Sequence, residues 1–247
     1  MTAMKNKINW KRGIGIFVFI TLFLSIGYSV IKIAITPEHV AAPDVGTHLR
    51  SDYVLMLIQC CLGLLVIGLP ALIERKWSFE LPNYMSILYF IFLYCAIYLG
   101  EVRNFYYLIP HWDTILHAFS GSMLGALGFT LVRILNDSEK IHVTLSPLFI
   151  CLFAFCFALA VGALWEIYEF AGDAIFGLNM QKFRLSDGTE LIGHAALGDT
   201  MKDIIIDAIG AFAVTLIGYF TLLGKLQYKQ RKIAKTNIQS SQPEEKL

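Results

Sequence analysis

Residues 144–165 read TLSPLFICLFAFCFALAVGALW, twenty-two positions without a charge, and residues 166–173 then read EIYEFAGD, with three acids. A soluble helix of that length carries polar residues along one side. This one is apolar all round, which suits hydrocarbon on every face. About 20 residues at helical rise cover the roughly 30 Å core of a bilayer. Five further stretches reach that length: Ile14 to Ala34, Tyr53 to Ile73, Leu81 to Gly100, Thr114 to Val132 and Ile204 to Gly224. A spanning segment must satisfy its own backbone hydrogen bonds, and these runs are too long and continuous for barrel strands. The expected fold is all-α: a polytopic bundle of six transmembrane helices.

Composition agrees. The 247 residues are 56% apolar and 16% charged, against about 25% charged in a soluble domain. A net charge of +1 supplies no global basic field for nucleic acid, so the informative quantity is where the charges sit. Lys5, Lys7, Lys11 and Arg12 precede the first block, but its uncharged run from Ile14 to Ile31 is too long for a signal h-region and reads as an uncleaved span. Fourteen of the twenty Lys and Arg residues fall on the side of the two termini. The positive-inside bias then puts both termini in the cytoplasm of a multi-pass plasma-membrane protein. The chain divides into a basic N-terminus (1–13), a six-helix domain (14–224) with an outer loop at 174–198, and a basic and polar tail (225–247), expected to be mobile near anionic lipid. Thirteen of the nineteen acids lie on the outer side.

Cys60, Cys61, Cys95, Cys151 and Cys156 all fall inside spans without a CxxC, so they read as buried small apolar residues. Gly121, Gly125 and Gly128 on the fourth span permit close helix contact. Pro70 and Pro147 lie near span ends, where they can bend a helix.

Three stretches carry the charged chemistry. In PHWDTILHAFSG, Asp113 and His117 are four apart and share one helical face. In ALWEIYEFAGD, Glu166, Glu169 and Asp173 are spaced i, i+3, i+7. In GDTMKDIIIDAIGAF, Asp199, Asp203 and Asp207 recur every four residues, Asp207 deepest in the apolar run. Ordinary roles cover some of them: Asp199 as a helix N-cap, Glu101, Glu166 and Asp173 as solvated boundary acids, His111 as a loop residue. They do not cover Asp113, His117, Glu169, Asp203 and Asp207 together. A charge at mid-membrane costs about 2.5–3.5 kcal/mol even on permissive scales, so such residues face a bundle interior or wet cavity.

Carboxylates that face one another must be neutralised, because two at 4 Å repel by about 4 kcal/mol at an effective dielectric of 20. Either retained protons or a divalent metal does this. Oxygen-rich ligation favours Mg, Mn or Ca, while His117, with His194 as a second candidate, keeps Zn or Fe open. The expected ligands are Asp113, His117, Glu169, Asp203 and Asp207, with Glu166 as general base. The loop 175–198 is expected either as a short hairpin about Asp187-Gly188 that brings His194 near the site or as a mobile lid.

The order Asp113-x-x-x-His117-x-x-x-Gly121, Glu166-x-x-Glu169 and Gly198-Asp199-x-x-x-Asp203-x-x-x-Asp207-x-x-Gly210-Ala211 resembles the YjdF-type inner-membrane proteins, a family of unknown function. More distantly it is similar to the VanZ-like membrane proteins. Glu169 stands where the VanZ-like pattern has Gln, and Asp207 where it has Asn. The resemblance implies a polytopic plasma-membrane protein, with an envelope association suggested by the VanZ-like group alone.

Three functions are compatible with these residues. The first is a metal-dependent hydrolase or transferase acting on a membrane lipid or envelope amphiphile. The second is a proton- or cation-coupled transporter, and the third a non-catalytic membrane component whose ion ties helices together. A lipid-like substrate suits a site opening sideways to acyl chains. The oligomeric state is not legible.

Overall fold

Long apolar sequence leaves the backbone one way to pair its polar groups, and the chain takes it. The computed structural model describes residues 9–37, 48–77, 80–136, 145–185 and 188–240. Its elements are α1 (Trp10–Ile35), α2 (Arg50–Val66), α3 (Leu69–Trp77), α4 (Asn83–Leu93) running into a π-helical segment (Tyr94–Val102), α5 (Phe105–Leu108), α6 (Trp112–Asn136), α7 (Pro147–Phe176) and α8 (His194–Ser240). Six helices among the described residues are long and apolar enough to span a membrane: Trp10–Ile35, Arg50–Lys76, Asn83–Val102, Trp112–Val132, Pro147–Phe176 and His194–Thr236. The chain is a multi-pass membrane protein. Large apolar side chains such as Phe23, Phe153, Ile209 and Phe220 point outward, as they should where the solvent is lipid.

The helices pack as two groups. In the first, α1, α2, α4 and the π-helical segment bury Val18, Leu22, Cys60, Phe90, Leu93 and Ile97. In the second, α6 lies along both α7 and α8. Small residues set that second spacing: a Cβ on Gly121 would stand 2.4 Å from the Asp207 carbonyl oxygen, and one on Gly210 2.5 Å from the Ala118 carbonyl oxygen. Dispersion between closely approached backbones replaces the hydrophobic drive that lipid does not provide. All five cysteines are free; Cys60 and Cys151 are buried as expected, but Cys61 and Cys156 are exposed on outward helix faces. Uniform hydropathy around a span hides which of its residues face lipid.

Pro70 divides the second span. Having no N–H, it cannot bond the Val66 carbonyl one turn back, and the helix breaks between α2 and α3. Tyr89 of α4 supplies the missing donor, its hydroxyl donating to the Val66 carbonyl at 2.8 Å. Tyr89→Phe is therefore expected to cost about 1–3 kcal/mol, read as a lower thermal midpoint in detergent. An unchanged midpoint would mean that water or lipid serves Val66 equally well. Pro147, by contrast, bends nothing: it opens α7 in the first turn, and the Ser146 side chain caps that helix by accepting the Phe149 N–H at 3.2 Å.

Three helix ends differ from the sequence expectation. The fifth span does not stop at Trp165 but runs to Phe176, and the sixth begins at His194, not Ile204. Acids at 166, 169, 173, 199 and 203 do not end these helices, because several turn inward to partners. Gly177 ends α7, taking a left-handed φ of 62° while its N–H bonds the Asp173 carbonyl at 2.9 Å. Asp199 is accordingly not an N-cap; it lies in the second turn of α8. At the other end, residues 225–240, expected as a mobile tail, continue α8 to Ser240, since no Gly or Pro interrupts them. Lys5, Lys7, Asp137, Glu139, Lys140, Ser186, Asp187, Glu244, Glu245 and Lys246 lie outside the described residues.

The described residues of the connection from α7 to α8 meet in one isolated antiparallel bridge. Arg184 and Glu190 pair as an antiparallel bridge, with Leu185 N–H to the Thr189 carbonyl at 2.8 Å and Leu191 N–H to the Phe183 carbonyl at 2.7 Å. Asp173 accepts the Met180 and Gln181 N–H groups at 2.7 and 3.0 Å. Buried Asn179 donates to Tyr107 Oη and the Arg184 carbonyl and accepts the Arg184 N–H. Leu178 and Met180 pack on Leu55 of α2. The loop thus straps the second helix group to the first.

Lys182 is the strap's ionic anchor. Its Nζ donates to Glu101 Oε1 at 2.8 Å and lies 4.6 Å from the Tyr106 ring centroid. Burial pushes the ammonium towards neutrality, but the Glu101 carboxylate outweighs it and holds Lys182 above the usual lysine range. A raised pKa of this kind contributes stability below the unfolded-state value of about 10.4 and loses it only as pH rises through the folded value. The contribution is therefore flat from pH 6 to 9. Glu101→Gln, which strands the ammonium, is expected to cost about 3 kcal/mol, and Lys182→Met with Glu101→Gln less than that. Equal losses in the single and double variants would show no coupling.

Candidate metal centre

Helical spacing brings the site together from three elements. Asp113 and His117, one turn apart at the start of α6, face Asp203 and Asp207, one turn apart near the start of α8, while Glu166 enters from α7. His117 Nε2 lies 3.8 Å from Asp113 Oδ1 and 3.8 Å from Glu166 Oε1. Asp113, His117 and Asp203 each present one potential ligand atom, all within 4.8 Å of one another. His117 is 7% exposed and Glu166 and Asp203 4% each, whereas the Asp113 side chain is 30% exposed. Asp113 is thus the member nearest the medium.

Glu166 Oε1 and Asp203 Oδ1 are buried without a hydrogen-bond partner. Desolvated carboxylate oxygens in that state are costly, and either a retained proton or a bound cation would relieve the cost.

The other edge of the imidazole is differently furnished. His117 Nδ1 lies 3.2 Å from Asp207 Oδ2, and Ser120 Oγ lies 2.9 Å from Asp207 Oδ1. Asp207 is 2% exposed. A Cβ on Gly162 would fall 2.5 Å from its Oδ2, so α7 meets this carboxylate with a glycine because nothing larger fits.

Of the five ligands expected from sequence, Asp113, His117 and Asp203 come together around one space. Asp207 lies on the Nδ1 side of the ring, away from that space. Glu169 is apart from the trio: its Oε1 accepts the Trp165 indole N–H at 2.8 Å, one turn back on its own helix. Glu166, expected as a base, is buried with its Oε1 3.8 Å from His117 Nε2, beside but not within that trio. His194 is exposed at the start of α8 and His111 is exposed in its loop; neither joins the cluster. Glu101 and Asp173, read as solvated acids, have the structural partners described above. Sequence reasoning missed Ser120 and Gly162, although Ser120 follows His117 by three and Gly162 precedes Glu166 by four, which puts each beside the charged face.

Electrostatics decide what the cluster can hold. Four carboxyl groups, Asp113, Glu166, Asp203 and Asp207, surround one imidazole; with all four ionised even a protonated His117 would leave net negative charge, which retained protons or a divalent cation would neutralise. Lys182 is engaged with Glu101, and Arg103 and Lys202 are exposed. A divalent cation suits this donor set of one nitrogen and several oxygens: Mn, Zn and Fe accept such mixed ligation, and Mg and Ca prefer the oxygens.

An uncharacterized protein of Thermotoga maritima is 28% identical over 163 residues, which are 66% of this chain and 76% of that protein. No solved structure matches the chain. The YjdF-type resemblance is consistent with the family match, whereas the VanZ-like one finds no support in it. The matched segment, residues 14–224, overlaps all six spans and contains each member of the cluster, and on it the chain belongs to the predicted membrane protein family DUF2238.

Proposed function

We propose that this protein is a divalent-metal-dependent hydrolase or transferase that acts on a membrane amphiphile, with Asp113, His117, Glu166 and Asp203 as its ligand set. The observation that carries the reading is the pair of buried, donorless oxygens on Glu166, beside the imidazole edge that Asp113 also approaches, and on Asp203, a residue within ligand distance of Asp113 and His117. A cation held by these residues would supply Lewis-acid chemistry, polarising an ester or phosphoryl oxygen and acidifying a bound water. The partly exposed Asp113 marks the side from which substrate and water arrive. His117 is in the second turn of α6 and Asp203 in the third turn of α8, so the centre lies near one end of the spans. That depth suits a substrate whose reacting group sits at the interface and whose tail stays in the bilayer. An ester or isoprenoid substrate fits better than a phosphoryl one, because Lys182 is already committed to Glu101 and, among the described residues, no Lys or Arg is seen paired with the acids of the centre. The Lys and Arg asymmetry supports cytoplasmic termini, which a C-terminal reporter read from each side of the membrane tests.

The enzymatic test is a panel of carboxyl-ester, isoprenoid and phosphoryl amphiphiles presented to the purified protein in proteoliposomes. Turnover of one class, abolished by chelation and restored by Mn or Zn, is the expected result. Metal-dependent ion flux without turnover would favour transport. Stoichiometric metal with neither activity would favour a structural ion.

A further inference from the structure

We infer that Asp207 is a positioning residue of the centre and not one of its ligands: its carboxylate accepts the Nδ1–H of His117 and so presents Nε2 to the space bounded by Asp113, Glu166 and Asp203. This rests on the metal reading above and deepens it.

A neutral imidazole has one protonated and one bare nitrogen, and whichever nitrogen meets a fixed acceptor keeps the proton. An ionised carboxylate is only an acceptor. Asp207 Oδ2 lies 3.2 Å from Nδ1, and Asp207 Oδ1 lies 2.9 Å from Ser120 Oγ, so both oxygens are occupied within the protein. Ser120 Oγ also lies 2.9 Å from the His117 carbonyl oxygen, so its single proton is shared between that oxygen and Asp207 Oδ1. Gly162 of α7 closes on Oδ2, and the backbone of α8 at Asp207 rests against Gly121. The carboxylate therefore has little room to swing towards Nε2. Spacing completes the argument. Asp203 precedes Asp207 by one turn and Asp113 precedes His117 by one turn, so each helix sets a cation-side carboxylate one turn nearer its start. Ligand and support come from α8 together, in the carboxylate–histidine–metal order that fixes tautomer and ring orientation at metal sites.

The test uses the full-length protein in nanodiscs, stripped by chelation and titrated with Cd2+. Wild type is expected to bind one equivalent, and with 15N-labelled histidine the cadmium coupling should appear at Nε2 of His117 while Nδ1 stays protonated. Asp207→Asn keeps an acceptor and should retain one equivalent within about 10-fold of wild-type affinity; Asp207→Ala should retain it with about 10–100-fold weaker binding. Asp203→Asn, a ligand change, should lose more than either. Coupling at Nδ1, or unchanged affinity and spectrum in Asp207→Ala, overturns the positioning role while leaving the metal centre intact. Abolition of binding in Asp207→Asn makes Asp207 a ligand and also overturns it. A wild type that binds no cation refutes the metal reading itself, a different result from any of these.

Discussion

Asp203→Asn is expected to lower divalent-cation affinity by more than about 100-fold, beyond the 10–100-fold typical of changes outside the ligand shell, while Glu169→Gln leaves it unchanged. The contrast follows from where two acids of similar sequence context point. Asp203 is buried with a donorless Oδ1 and stands within ligand distance of Asp113 and His117. Removing its charge deprives a cation of an anionic partner at a site where solvent does not compensate. Glu169 lies three residues from Glu166, yet its carboxylate turns back to the Trp165 indole. His117→Ala should match Asp203→Asn, because it removes the one nitrogen donor of the set. Calorimetric or fluorescence titration of the stripped variants measures all three. Similar losses for Glu169→Gln and Asp203→Asn would mean that the ligand set extends up α7 and that the arrangement described here is wrong.

Gly121→Val is the second large effect. A Cβ at this position would meet the Asp207 carbonyl oxygen at 2.4 Å and its Cα at 2.8 Å, so relief requires α6 and α8 to part and not a side chain to rotate. Overpacking of this kind costs about 1–3 kcal/mol, occasionally more. The same separation moves Asp113 and His117 away from Asp203 and Asp207, so the thermal midpoint and cation affinity should fall together. Gly198→Ala provides the control. Nothing lies within 4 Å of a Cβ there, Gly198 is inside α8, and the better helix former should stabilise by up to about 1 kcal/mol. A Gly121→Val protein with wild-type melting and binding would show that close approach of α6 and α8 is not what assembles the centre.

The six spans were legible because nothing but helices satisfies so many uninterrupted apolar residues in lipid. That Asp113, His117 and Asp203 cluster was legible for a related reason: they are too costly in a membrane to stand apart. Helix ends were harder. The acids from Glu166 to Asp173 look like an exit into water, but Asp173 spends its charge on the N–H groups of Met180 and Gln181, and that pairing exists only in the folded chain. Spacing could not choose between Glu166 and Glu169, since residues three apart share a helix face and a small rotation decides which points inward. Nor could it separate Asp203 from Asp207, whose i, i+4 relation is the same whether both bind a cation or one braces the histidine. The Lys182–Glu101 pair, 81 residues apart in the chain, had no local signal at all. The π-helical turn at 94–102, where the Arg103 N–H reaches back five residues to the Tyr98 carbonyl at 2.8 Å, left none either.

The central claim is that carboxylates from α6, α7 and α8 share one divalent cation with His117. Titration of chelator-stripped wild-type protein with Mn2+, followed by electron paramagnetic resonance, tests it most directly. The account predicts a single saturable equivalent that disappears in His117→Ala. Manganese that stays free in solution with wild type, or that binds equally to His117→Ala, would contradict it.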